Sequence, residues 1–330
     1  MLQAPDGQNS PLVEAVISGS RELQYAACKA IADINPKQAF PGCSYVGKMA
    51  VLLAASDGRS TGVAVDPRTD TAQGLASAVY QSGSVGTTAK SGQQLFELIN
   101  TNPDVDFIMI TDSVGRPSYQ QLVQQLRSYW LSKHLPIAIL TRNAQRERQA
   151  EWVFDRDPLT LVLPATTDPR LVFGTVKRLL DLRRQPVSDT QRSQHAKFAM
   201  KWLSELLADP QLYRFYHLVS HKDQLVELVK VPSDFDLKSE ILAGLGTAAS
   251  QQTLVDLAED NSLAIGERQL MLAGFVDSTK RFGVLLPPSE IRAQYNRFNE
   301  VESQEAAKIV GSILEAIEDR AKNGPTVGSR

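Results

Sequence analysis

One carboxylate stands where an open α/β sheet puts its chemistry. The stretch Val105 to Pro117, VDFIMITDSVGRP, reads as a buried strand over Phe107 to Thr111 that delivers Asp112 onto a turn at its carboxyl end. Ligands of such sheets bind in the crevice outside the carboxyl ends of the strands. An acid there can accept a group, hold a cation, or simply cap its own turn through the backbone two residues on. His217 and His221, in FYHLVSHKD, sit four apart, a spacing that places both on one helix face as zinc ligands require. Metalloprotease chemistry would also need Glu beside the first histidine, where Leu218 stands, so the pair reads as surface histidines. His134 and His195 stand alone and read as surface or capping residues. No GxxxxGK followed by Ser or Thr and no GxGxxG after the first strand occurs, which removes the usual nucleotide loops.

The elements that must position Asp112 alternate. Gly62 to Val65, Ser84 to Ala89, Phe107 to Thr111, Ile137 to Thr141 and Thr160 to Leu163 read as strands. Asp70 to Tyr80, Gln93 to Asn100, Ser118 to Ser132, Ala144 to Val153 and Pro169 to Leu182 read as the helices between and after them. Five strands alternating with five helices predict a parallel sheet wound with helices on both faces. Ahead of it, Pro11 to Ile34 carries a short and then a longer helix, stopped at Asn35-Pro36, and Val46 to Ala55 a third. Arg183 to Asp189 reads as a polar link. Beyond it only helical periodicity appears, in segments from His195 to Arg320 that include Leu212 to His217, followed by a Gly, Pro and Ser tail expected to fray.

The 330 residues are 42% hydrophobic and 22% charged, ordinary globular material for about two domains, and the net charge of −2 disfavours nucleic acid and anionic membrane as partners. Cys28 and Cys43 are too few for a disulfide framework and read as reduced packing residues of a cytoplasmic protein. The polar start has the look of a junction to something longer. Helical spacing makes most of the aromatics core residues, with YRFYH from Tyr213 partly exposed. The pairs Arg146/Arg148 and Arg183/Arg184 read as solvated or boundary charges.

Two resemblances follow from these segments. ILAGLGTAASQQTLVDLAED from Ile241 and LQYAACKAIADINP from Leu23 resemble HEAT-type helical repeats, with a tight Leu-Gly turn between paired helices. VAVDPRT, IMITDSVGRP, IAILTRNA and LVLPAT, in that order, resemble the receiver domain of bacterial response regulators. That resemblance implies a five-stranded flavodoxin-like fold, a phosphoacceptor at Asp112, an acidic metal position at Asp66 and a switch hydroxyl at Thr141. The departures are specific. Asp66 is followed by Pro67 where the family has a second acid, and Leu163 precedes Pro164 where the family has a lysine. Phosphorylating a carboxylate needs a divalent cation and a basic side chain on the phosphoryl oxygens. Asp70, Arg116 and Arg142 are the nearby residues that would have to substitute.

The expected architecture is therefore α/β plus all-α: a helical HEAT-like segment over residues 1–58, a doubly wound receiver-like domain over 59–184, and a HEAT-like helical domain over 185–330. The first and third segments could pack together around the second. The expected function is a non-enzymatic interaction and signalling scaffold, without catalytic residues or cofactor, that binds protein partners through its helical surface. The alternatives are a phosphorylation-responsive protein using Asp112 with magnesium, and a small-molecule or nucleotide sensor at the strand ends.

Overall fold

The computed structural model describes residues 8–183, 187–230, 234–301 and 303–323. Most of the polar start, the middle of the expected link and most of the expected tail lie outside these residues. The chain divides into two compact units, residues 1–35 with 40–196, and residues 36–39 with 197–330. Among the described residues no helix is long and apolar enough to cross a membrane.

The first unit opens with helices α1 (Pro11–Ser18), α2 (Arg21–Ile34) and α3 (Cys43–Ala54). Ser10 starts α1, its hydroxyl accepting from the Val13 N–H at 3.3 Å ahead of a proline at the first helical position. Asn35, in the left-handed region at φ 48°, ends α2. Strands and helices then alternate as β1 (Thr61–Val65), α4 (Thr69–Gln81), β2 (Val85–Ala89), α5 (Gly92–Thr101), β3 (Val105–Thr111), α6 (Tyr119–Ser128), β4 (Ile137–Thr141), α7 (Ala144–Phe154), β5 (Thr160–Pro164) and α8 (Pro169–Asp181). All neighbouring strands pair in parallel, in the order β2-β1-β3-β4-β5. The winding direction reverses between β1 and β3.

The strands form because their residues are apolar on both sides, as a sheet covered on both faces requires. Ala64, Phe107, Met109, Ala138 and Leu140 pack under Leu75 and Val79 of α4 and Val172, Val176 and Leu179 of α8. The alternate positions Val63, Val65, Ile108, Ile110, Ile137 and Ile139 are equally buried and belong to the other face. Gly62 makes room for the Phe107 ring, since a Cβ there would sit 2.3 Å from it. Helix α6 stops at Ser128 rather than at Ser132. Beyond it the Ser132 hydroxyl donates to the Leu126 carbonyl at 2.8 Å and Arg127 donates to that of Leu135 at 2.7 Å, which holds the chain in a turn.

The amino end of the sheet carries a buried charge cluster. Asp104, fully buried, accepts from Arg21 at 2.6 Å, Arg192 at 3.0 Å and the Ser56 hydroxyl at 2.8 Å. Asp106, 2% exposed, accepts from Arg192 at 2.5 Å and the Ser60 hydroxyl at 2.6 Å, and pairs with Arg183. Arg183 and Arg192 are thus fixed to the sheet, not spread along a solvated boundary. Helix α9 (Asp189–Ala208) begins earlier than its periodicity indicated: the Ser188 hydroxyl accepts from the Gln191 N–H at 3.3 Å and the Gln191 side chain accepts from the Ser188 N–H at 2.9 Å, which starts the helix ahead of the wholly buried Arg192. His195, next along α9, is likewise a buried residue, stacked on Tyr25 with centroids 3.7 Å apart. A cavity of about 40 Å³ beside the cluster is lined by Arg21, Asp106, His134 and Arg183.

The second unit contains α10 (Lys222–Glu227), α11 (Phe235–Leu245), α12 (Ala248–Glu259), α13 (Ile265–Phe282), α14 (Pro288–Glu300) and α15 (Gln304–Asn323). The Leu-Gly turn is present: Gly246 at φ 58° closes α11, and Thr247 caps α12 by accepting from the Ser250 N–H. Leu212 to His217 is not a helix. Residues Arg214–Tyr216 and Leu218–His221 form separate 3₁₀ turns with His217 at φ 55° between them, so His217 and His221 share no helix face. Tyr216, fully buried edge-on against Trp202, draws the chain inward at this point, while Arg214 and His217 stay exposed.

Candidate functional site

At the carboxyl edge of the sheet β1 runs out into Asp66, and β3 ends in Thr111 before Asp112 and Ser113. Successive residues of an extended chain point to opposite sides, and these three keep that parity. Thr111 Oγ1 donates to Asp66 Oδ2 at 2.6 Å and Ser113 Oγ does so at 2.9 Å. Asp112, between them, faces the β4–α7 connection instead.

Asp66 is fully buried and densely hydrogen-bonded. Besides the two hydroxyls it accepts from the Arg68 backbone N–H at 2.7 Å, Arg68 Nε at 3.1 Å and Arg68 Nη2 at 3.0 Å. Burial alone would raise its carboxyl, but the bonds from Arg68, Thr111 and Ser113 outweigh it and hold the group at about 2. The residue is therefore an ionised carboxylate at neutral pH with its oxygens already engaged.

Asp112, 4% exposed, is gripped by two guanidiniums. Arg142 Nε donates to Oδ1 at 2.8 Å and the Arg142 N–H to Oδ2 at 3.2 Å. Arg146 Nη1 donates to Oδ2 at 3.2 Å and to the Asp112 carbonyl at 3.1 Å. The local sequence explains the pair. Asn143 caps α7 by accepting from the Arg146 N–H at 3.0 Å, which fixes Arg142 just before the helix and Arg146 within its first turn.

Sequence reasoning read Arg146 as a solvated charge, and the structure places it on Asp112. The only signal was its helical spacing from Arg142 beside a cap residue. Of the substitutes considered, Arg142 reaches Asp112, while Arg116 and Asp70 are exposed. Thr141 is buried and its hydroxyl donates to the Leu163 carbonyl at 3.3 Å on the neighbouring strand. Leu163 packs against the hydrophobic cluster beneath α8. Asp66, Asp112 and Thr141 thus lie at one edge of the sheet, each turned to a different partner.

A divalent cation does not fit this arrangement. It would need oxygen ligands from the two acids together, whereas Asp66 is engaged by Arg68 and Asp112 by Arg142 and Arg146. Among the described residues, no group of three or more His, Cys, Asp or Glu side chains could hold a metal ion. The site has three guanidiniums against two carboxylates, one positive charge in excess. Its arginines are about half exposed, Arg68 55%, Arg142 46% and Arg146 43%. This arrangement can attract and hold an anion. Neither a protein-family model nor a curated protein matches the chain.

Proposed function

We propose that this chain is a non-enzymatic interaction and signalling module, in which a receiver-like sheet serves as a docking element and the helical unit offers the surface for protein partners. The observation that carries the reading is the occupation of Asp112 by Arg142 and Arg146, the place a phosphoryl group and its magnesium ion would have to take. The strand order 2-1-3-4-5, which flavodoxin-like sheets use, supports the receiver comparison. Helix pairs joined at Gly246, with Leu270, Tyr295 and Phe298 each at least 40% exposed, support a HEAT-like protein-binding face. The two free cysteines fit a cytoplasmic setting.

Beryllofluoride with magnesium tests the reading. Trp152 stands 83% exposed on α7, the helix that carries Arg146, and reports on that helix. The expected result is no saturable change in its fluorescence. A saturable response abolished by Asp112→Asn would overturn the proposal in favour of a phosphorylation-responsive protein.

A further inference from the structure

The same arginines have more donors than Asp66 and Asp112 use. Arg142 donates to Asp112 through Nε, leaving Nη1 and Nη2 without a hydrogen bond to any described residue; Nε and Nη2 of Arg146 and Nη1 of Arg68 are likewise unused. All three side chains reach solvent. They lie at the carboxyl ends of β1, β3 and β4, across the point where the winding reverses, which is where open α/β sheets take their ligands.

Asp112 behaves here as an internal anion. Its two oxygens each take a donor from a separate guanidinium, Arg142 Nε on Oδ1 and Arg146 Nη1 on Oδ2, donors an external anion would compete for, while the remaining donors of both forks stay open. Planar forks of this kind match the oxygens of a tetrahedral oxyanion, and the excess positive charge favours a dianion over a chloride.

We infer that the carboxyl edge of the sheet binds a phosphate monoester dianion non-covalently, through Arg142 and Arg146 with Arg68 alongside. This rests on the docking reading above and names the ligand class of that site. The ligand is held and released intact, so no bond to Asp112 forms.

Isothermal titration of the full chain with inorganic phosphate tests this, without metal and with EDTA, against chloride at equal ionic strength. The expected result is saturable binding that tightens in Asp112→Asn by roughly fivefold or more, because the internal competitor loses its charge. In the Asp112→Asn background, Arg142→Gln should weaken binding by about tenfold, the worth of a charge-assisted hydrogen bond. That background avoids stranding a buried carboxylate, and a circular dichroism melt checks that each variant is folded. O-phosphoserine peptide and adenosine 5′-monophosphate are titrated in parallel, and their relative affinities tell a phosphorylated side chain from a nucleotide. Binding no stronger than chloride, unchanged or weaker binding in Asp112→Asn, or binding of phosphate with neither ester would each overturn the inference. The beryllofluoride experiment needs magnesium and an intact Asp112, so the two readings fail independently.

Discussion

The two ends of one sheet carry the same charged groups and put them to different use. At the amino end, Asp104 and Asp106 meet Arg21, Arg183 and Arg192; at the carboxyl end, Asp66 and Asp112 meet Arg68, Arg142 and Arg146. Both sets carry one positive charge in excess. At the amino end the guanidiniums are at most 10% exposed, while at the carboxyl end each is at least 43% exposed. Burial decides the role. A guanidinium withdrawn from water has nowhere to go but its carboxylate, so the amino cluster pins α2, α8 and α9 to β3. One left half in water keeps its outer donors hydrated and can trade them for another anion.

The largest test of this contrast is Arg192→Met, which takes from Asp104 and Asp106 the one buried arginine they share and leaves each with a single guanidinium, Arg21 or Arg183. Denaturant unfolding should show a loss of about 3–5 kcal/mol, as for other broken buried pairs. A small loss would erase the distinction between the two ends. Next comes pH. His195 is held down at about 4, by burial first and then by Arg21 and Arg192 nearby, and burial holds His134 at about 4 as well. Their unfolded values lie near ~6.5. Each depressed histidine therefore contributes stability that is complete above about pH 6.5 and lost as pH falls toward 4, with a slope of at most about 1.4 kcal/mol per pH unit for each proton. His195→Gln should flatten that slope in a thermal-melt series, and an unchanged profile would show that His195 is not responsible.

Asp104 titrates lower still. Burial opposes ionisation, but Arg21, Arg192 and Ser56 overcome it and depress the carboxyl. A further loss of stability is expected once pH falls below about 4, the unfolded aspartate value. Carrying the same substitution to both ends gives a direct comparison: Asp112→Asn, which faces half-exposed arginines, should cost about 1 kcal/mol or less, and Asp104→Asn several times that in the same unfolding assay. Smallest of all is Arg68→Gln, because Thr111, Ser113 and a backbone N–H still serve Asp66. Its melting curve should lie close to the parent's, while an NMR titration finds the Asp66 carboxyl raised.

The strands were legible in the sequence. Ile137 to Thr141 has the bounds expected of it, and β3 was found through its run of Phe107 to Thr111, because strands covered on both faces read as continuous apolar runs. The acid at the end of β3 was legible for the same reason. Its partners were not. Arg192 falls between the expected link, Arg183 to Asp189, and the helix expected from His195, and only the fold brings it onto β3. One signal was available: Asp104 and Asp106 flank Val105 at the head of the most apolar strand, and acids in that position require cations from elsewhere in the chain. Helix α6 and the His217 region were misjudged because periodicity does not register a left-handed residue or a hydroxyl that ends a turn.

Both arms of the Asp112 clamp come from a single connection, the turn that leaves β4 and enters α7. The phosphate site inferred at this edge is in that sense portable: a graft of that turn would carry both guanidiniums to a sheet of like architecture, and exchanging the turn here would remove them without disturbing the strands below.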